Sequence, residues 1–473
     1  MSRYAPISLA ASCSAVLLAG CAVGPDYRSP TIAQLNIPER FAASTGQSAG
    51  AEVDLALWWR AFDDPTLSEL VDRGLRANLD IDEAGSRVRK ARADLRSARG
   101  ALLPSLDVSG SATREVGDTT SASRASFQTG FDASYEVDLF GGRRRSAEAY
   151  RATAEGTEAS LRSAQLTVAS EIALNYFDAR EAQARLRIAQ DTLTALDDTV
   201  EIVSWRLQAG LVSALDLEEA RQLQAQTAAT VPTLQSNYGK AANRLAVLLG
   251  AAPGSVTALL EPARDAPAAP KAQASAIPAD VVRRRPDVAL AERTLAAETA
   301  RIGVEKAQLY PALTLSGAFS DTGGTLGKAT DDLAGALVAG ITAPIFHGGQ
   351  IHAQVEAQRA TTAAALASYR STVLTALEEA ENALVGVSTA DRRERALAAA
   401  ESAAQSAAEI ARVRYRSGLI DFQSLLESER TLLSSRDSLA SARVARSTSA
   451  VQLYKALGGG WQAAPQPPSV SAR

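Results

Sequence analysis

Residues 127–139 read FQTGFDASYEVDL. Phe127, Thr129, Phe131, Ala133, Tyr135, Val137 and Leu139 alternate with Gln128, Gly130, Asp132, Ser134, Glu136 and Asp138. Successive side chains of a strand point to opposite faces, so this stretch has one greasy face and one acidic face. A tilted strand of about 9–11 residues spans a bilayer, and barrel strands alternate apolar-out with polar-in. The stretch therefore reads as a membrane-spanning strand of a pore wall. Asp132, Glu136 and Asp138 then face the barrel lumen, although solvation alone also accounts for three acids on a polar face.

Upstream, Leu106, Val108, Gly110 and Ala112 alternate with Asp107, Ser109, Ser111 and Thr113, which makes a second strand and a hairpin over 105–140. Gly141-Gly142 ends it. From 143 to 209 there is no proline, and Leu186, Ala189, Leu193, Leu196, Val200, Val203 and Leu207 are spaced as a coiled-coil seam. That is a helix of about 100 Å at about 1.5 Å per residue. Gly210 breaks it, and a return helix is expected over 212–249, kinked at Pro232. Residues 251–278 are rich in Pro and Ala and read as a linker.

Toward the N-terminus, a helix over 80–102 is stopped by Pro104. Asp64-Pro65 opens a shorter one, with proline at its favoured first position. Trp58 and Trp59 precede it as a packing anchor, with an interfacial membrane belt as the alternative, and residues 21–64 form an extended leader running over the surface. Residues 1–20 read as a signal peptide. It ends Leu18-Ala19-Gly20-Cys21, similar to the lipobox of bacterial lipoproteins. That resemblance implies cleavage before Cys21, acylation of its thiol and, with Ala22 rather than Asp next, an outer-membrane destination.

The pattern then recurs. Residues 78–111 align without gaps with 285–318, and 206–250 with 414–458: Asp80 meets Asp287, Pro104 meets Pro311, Gly210 meets Gly418 and Gly250 meets Gly458. Phe140-Gly141-Gly142 is echoed by Phe346 and Gly348-Gly349. The chain is a duplication of a helix–hairpin–long helix–return helix unit. The first repeat covers 65–250, with its long helix at 143–209. The second covers 279–458, with hairpin 312–346, long helix 350–417 and return helix 419–457. Residues 459–473 form a disordered tail. The fold class is mostly α with a membrane β-barrel part. Four strands per chain cannot close a barrel, and open edges are not tolerated in lipid, so the sequence demands oligomerisation.

Several functions are excluded. Apolar residues make up 46% of the chain but aromatics only 5%, which suits long helices packed through Ala, Leu and Val. A net charge of −4 without a dominant basic patch excludes nucleic acid. GGTLGKAT at 323–330 falls one residue short of a P-loop and has Ala329 in place of Ser or Thr. The two histidines, His347 and His352, are five apart, poor spacing for a metal site on one helical face. No nucleophile–base constellation stands out, so neither catalysis, metal nor cofactor is expected.

CAVGPDYRSP at 21–30, WWRAFDDPTLSEL at 58–70 and YEVDLFGGRRR at 135–145 carry a resemblance, with RRRPDVALAE at 283–292, EKAQLYPALTLSG at 305–317 and YRSGLIDFQSLLESERTLL at 415–433. The chain resembles the TolC-like outer-membrane efflux channels, in their NodT-type lipoprotein branch. The resemblance implies a homotrimer with a twelve-stranded β-barrel in outer-membrane lipid, continued by a long periplasmic helical barrel. It implies a periplasmic membrane-fusion adaptor and an inner-membrane pump of the resistance-nodulation-division type. Transport would be a passive export of drugs or other toxic small molecules from periplasm to exterior.

On that reading the turns 208–213 and 416–421 form the periplasmic tip. Gly210 and Gly418 reverse the chain at positive φ. Leu211, Val212, Leu419 and Ile420 flank the tip as adaptor-docking residues, or else pack on their own turns. Asp216 and Asp421 lie just past the turns. The family places acids near here around a closed gate, and helix capping is the local alternative. The rival function is a periplasmic coiled-coil scaffold lipoprotein without a pore.

Overall fold

The computed structural model describes residues 22–31, 33–35, 37–42, 54–114, 125–261, 263–270, 278–323 and 333–461. After a 3₁₀ helix at Leu55–Phe62 the elements are α1 Pro65–Ala77, α2 Leu79–Gly100, β1 Ser105–Arg114, β2 Ala125–Val137, α3 Gly142–Gln208 and α4 Ala214–Leu248. They continue with α5 Thr257–Leu260, α6 Pro278–Arg284, α7 Pro286–Ala307, β3 Ala312–Gly323, β4 Leu333–Thr342, α8 Gln350–Arg416 and α9 Phe422–Ala456. The duplication is visible in the lengths. α2 and α7 each have 22 residues, α3 and α8 each 67, and α4 and α9 each 35. Among the described residues no helix is long and apolar enough to cross a membrane.

The chain divides into two compact units. One comprises Met1–Thr31, Arg87–Glu158 and Leu290–Ser371 and contains the sheet. Its strands lie in the order β1-β2-β3-β4, every neighbouring pair antiparallel. The two hairpins are thus joined through β2 and β3, while β1 and β4 each have one neighbour. Where α3 and α7 meet, Ala152, Ala296 and Ala297 pack with Tyr27 of the leader; alanine lets helices approach closely. The leader is sewn down here. Val23 donates its N–H to the Phe140 carbonyl at 3.0 Å. The buried Arg145 pairs with Asp26 at 2.6 Å and Glu148 at 2.8 Å. Tyr27 donates to Glu292 at 2.9 Å. Burial and the Glu292 carboxylate both push the Tyr27 hydroxyl's pKa up.

The second unit comprises Ile32–Ser86, Ala159–Ala289 and Thr372–Arg473. Its main core gathers around Trp58 and Trp59, both fully buried, with Tyr454 stacked on Trp58 at 5.7 Å and Phe62 against Phe177 at 5.2 Å. Asp64 caps α1, accepting from the Leu67 N–H at 2.9 Å, and also accepts the Tyr176 hydroxyl at 2.7 Å. Burial, reinforced by that carboxylate, pushes Tyr176 up to about 12.

Several expectations need correction. The Pro/Ala stretch 251–278 is not a free linker where it is described. It carries α5, buries Val256, Leu260 and Ala269 in the main core, and is held by the buried Arg180, which donates to the Leu260 carbonyl at 2.9 Å. Burying three apolar side chains outweighs what its composition suggests. The leader does not merely cross the surface, because Leu35, Ile37 and Phe41 are buried too. Gly459–Trp461, placed in the tail, are ordered: Gly459 donates to the Tyr454 carbonyl at 3.0 Å, and Arg162 sits 4.8 Å from the Trp461 ring centroid. The rest of the tail, residues 462–473, lies outside the described residues, as do residues 1–20 and Cys21. The return helices start at Ala214 and Phe422 rather than 212 and 419, because Ser213 and Asp421 are their N-caps.

Candidate functional site

The wall is built from strand register. Val108 lies opposite Phe131, which lies opposite Phe319, which lies opposite Gly335. Directly paired residues share a face, so the alternation of each strand adds to the next. One face carries Leu106, Val108, Phe127, Phe131, Tyr135, Leu315, Phe319, Leu337 and Ile341. Much of it is bare in the single chain: Leu337 is 85% exposed, Ile341 73% and Leu106 71%. The acid in register with this face is Asp321, opposite Thr129, and it is buried.

The other face is polar. Asp132 stands in a row with Asp107, Ala318 and Ala336, and the Ser109 hydroxyl donates to Asp132 at 2.8 Å. Asp107 was not singled out from sequence as a lumen acid. Its signal was the same alternation, read one strand earlier. Glu136 accepts from Arg143 at 2.7 Å. Asp138 differs from the other two acids, because β2 ends at Val137. Its carboxylate accepts the backbone N–H groups of Arg143 at 3.1 Å and Arg144 at 2.9 Å, at the start of α3. Helix N-termini leave such donors unpaired, so Asp138 closes a helix end and is not a wall residue.

The two turns share one backbone. Gly210 and Gly418 have φ of 71° and 70°. Leu211 donates to the Arg206 carbonyl at 2.8 Å, and Leu419 to the Arg414 carbonyl at 2.9 Å. Leu211 is 74% exposed and Leu419 73%. Val212 and Ile420 are half-buried against the cluster of Leu196, Val203, Leu217, Phe422 and Leu425. The four apolar residues therefore divide into two exposed tips and two anchors. Asp216 and Ser213 form a capping box, and Asp421 accepts the Ser424 N–H at 2.8 Å. The Ser424 hydroxyl and amide hold the Asp421 carboxyl below its usual pKa. Both acids do capping work in the single chain.

Sequence reading missed the contact that ties the turns together. The Arg206 guanidinium lies 4.4 Å from the Tyr415 ring centroid and donates to the Tyr415 and Arg416 carbonyls at 3.4 and 3.3 Å. Its partners are too far along the chain for any local pattern to reveal. Among the described residues no group of three metal-ligating side chains converges.

Comparison with known proteins agrees with this geometry. Residues 70–251 and 277–459 match the family described as Outer membrane efflux protein. The chain is 34% identical to Nodulation protein T of Rhizobium leguminosarum bv. trifolii, over 90% of this chain and 92% of that protein. It is 32% identical to the Pyoverdine export outer membrane protein OpmQ of Pseudomonas aeruginosa, over 96% and 97%. The solved outer-membrane channel OprN superposes with a TM-score of 0.87 at 36% identity, covering 93% of this chain and 100% of that one. A scaffold without a pore has no use for a sheet with one apolar and one polar face, and these relatives remove that alternative. The chain belongs to the outer membrane efflux proteins, and it is the outer-membrane channel of an efflux system.

Proposed function

We propose that three copies of the chain, contributing four strands each, close one barrel through the outer membrane and form a passive duct with no catalysis of its own. The observation that carries this reading is the pair of bare edges. β1 and β4 each have a single neighbour in a sheet whose apolar face is exposed. Unpaired strand edges in hydrocarbon cost several kcal/mol per orphaned group, roughly, and a symmetric ring removes them. The face of Leu106, Phe131 and Ile341 then meets lipid, and Asp107, Asp132 and Glu136 line the lumen. An acyl group on Cys21 adds an anchor.

The turns at Gly210 and Gly418, with Leu211 and Leu419 outermost, are the surface offered to a periplasmic adaptor. Asp216 and Asp421 are the gate acids, and an inner-membrane pump, of the resistance-nodulation-division type, supplies the energy. The cargo is small molecules. A cleft of about 440 Å³ lined by Asn175, Asp178, Arg185, Lys240 and Arg244 is mixed in charge. Small-molecule pockets are mostly apolar with a few placed polar groups, so cargo selection is assigned to the pump. The test is reconstitution: detergent-purified protein should run as heat-modifiable trimers and conduct in planar bilayers. Monomers without conductance would overturn the reading.

A further inference from the structure

α2 and α7 are copies of one helix, and each runs into the first strand of its hairpin. They differ in charge over the turns next to the sheet. Residues 87–100 of α2 hold six bases, Arg87, Arg89, Lys90, Arg92, Arg96 and Arg99, against one acid, Asp94. The equivalent residues 294–307 of α7 hold two bases, Arg301 and Lys306, and two acids, Glu298 and Glu305. Arg89, Arg92, Arg96 and Arg99 are spaced so that they fall within about 80° on one face of the helix, at about 100° per residue. All four are exposed.

The duplication orients that face. At an offset of 207 the four arginines correspond to Ala296, Thr299, Gly303 and Lys306 of α7. That face of α7 lies under the leader. Tyr27 packs on the cluster of Ala152, Ala296 and Ala297, and a Cβ on Gly303 would come within 2.8 Å of the Val23 carbonyl oxygen. A leader that starts from an acylated residue has to reach lipid from outside the barrel. The face beneath it on α7, and the matching face of α2, therefore look outward from the duct. On α2, arginines stand where the leader lies on α7. Arg99 is six residues before Ser105, the start of β1.

We infer that the face of Arg89, Arg92, Arg96 and Arg99 binds anionic phospholipid headgroups of the periplasmic leaflet, at the foot of the barrel. This rests on the lipid-anchored barrel proposed above.

The four arginines span about 15 Å at about 1.5 Å per residue, and the polar region on each side of a bilayer is about 5–7 Å deep. Arg99 and Arg96, nearest the strand, stand at headgroup depth. There a planar guanidinium can take a phosphate through two parallel hydrogen bonds. Arg92 and Arg89 stand below, within about a Debye length or two of the charged surface, about 8 Å at physiological salt. Their long stems let the charged ends reach toward it. A second copy of the chain is a poorer occupant, because between 350 and 371 the membrane-proximal part of α8 has Glu356 as its one acid. Within the chain, Arg92 donates to Glu158 at 2.7 Å, and Asp94 is paired with Lys90 at 2.8 Å.

The test uses full-length trimers in phosphatidylcholine vesicles, with spin-labelled phosphatidylglycerol or spin-labelled phosphatidylethanolamine reporting the lipid held at the protein surface. The phosphatidylglycerol should be held at least about fivefold more strongly, the effect of a single basic residue at an anionic surface. The preference should shrink as salt rises from about 0.1 M to about 1 M, which cuts the Debye length from about 10 Å to about 3 Å. Arg96→Gln with Arg99→Gln should bring the two lipids near parity, whereas Lys90→Gln, on the far side of α2, should leave the preference in place. Equal retention of both lipids by the wild-type trimer, or an unchanged preference in the double variant, overturns the inference. Lost binding to purified peptidoglycan in the double variant, with its lipid preference intact, overturns it in favour of that polymer. Protein that does not enter the vesicles as trimers overturns the barrel itself, a failure seen before any lipid is compared.

Discussion

The two halves of the chain solve the same problems with different residues. At the turns, Ser213 is the N-cap of α4 and Asp216 completes the box, while Asp421 is the N-cap of α9 and accepts from Ser424. Serine and aspartate have exchanged places around an unchanged glycine turn. At the helix joints, Asn78 donates to the Leu248 carbonyl at 2.9 Å. At the equivalent place Arg285 donates to the Ala456 carbonyl at 3.2 Å and pairs with Asp287 and Glu379. On the polar face of the sheet the first hairpin pairs Asp107 with Asp132 where the equivalent pair in the second is Thr314 with Gly340. Backbone geometry is held in common, and charge is what has diverged. The acids on the polar face of the sheet, Asp107, Asp132 and Glu136, therefore all come from the first hairpin.

The largest effect is expected where the halves are most alike. A β-branched residue at φ near 70° is strained, by roughly 1–2 kcal/mol. Gly210→Val and Gly418→Val should each lower thermal stability of the tip and impair efflux, read as drug accumulation, while trimers persist. Neither position has atoms crowding a Cβ, so only the backbone is tested. Unchanged efflux in both variants would detach the turns from transport.

Next come the caps. Ser213→Ala should cost about 1 kcal/mol, read by hydrogen exchange at the start of α4. The second turn adds a pH signature. The folded Asp421 carboxyl has a depressed pKa, so its contribution is complete above the unfolded value near 3.9 and is lost as pH falls through the folded one. Protection at the start of α9 should therefore fall in acid, and Asp421→Asn should flatten that dependence. An equal acid response in the variant would remove the distinction.

Arg206→Ala should cost about 0.5–1 kcal/mol through the lost ring contact and should loosen the α8 end as well as its own. A change confined to the α3 end would show that the tie carries nothing. The smallest effect is at the wall. Asp107 and Asp132 face each other across a ladder, and like charges so placed cost roughly 0.2–1 kcal/mol. Asp132→Asn should stabilise slightly and reduce cation preference in single-channel recordings, whereas Ala318→Ser in the second half should change neither.

The strands were legible because alternation with period two is interrupted by Pro104 and Gly141. The long helices were legible because nothing breaks them between Gly142 and Gln208. What alternation cannot show is where a neighbouring strand stops, which is why Asp138 was read into the wall one residue after the ladder ended. Composition misjudges 251–278, since three buried side chains, Val256, Leu260 and Ala269, are too few to make a periodic signal. Arg206 on Tyr415 and Arg180 on Leu260 depend on distant partners, and local pattern carries no trace of them. Exposure of Leu211 against half-burial of Val212 is decided by which side of the Gly210 turn each faces.

One contact distinguishes the halves more sharply than any charge. Gly24, at φ 104°, rests so close to Gly303 that a Cβ on it would come within 2.6 Å of the Gly303 Cα. The equivalent position in the first half is the exposed Arg96, which carries the Cβ that at Gly303 would come within 2.8 Å of the Val23 carbonyl oxygen. A subunit that nearly repeats itself twice thus offers its own beginning only one berth. Any tether at that end would circle the assembly at three stations instead of six.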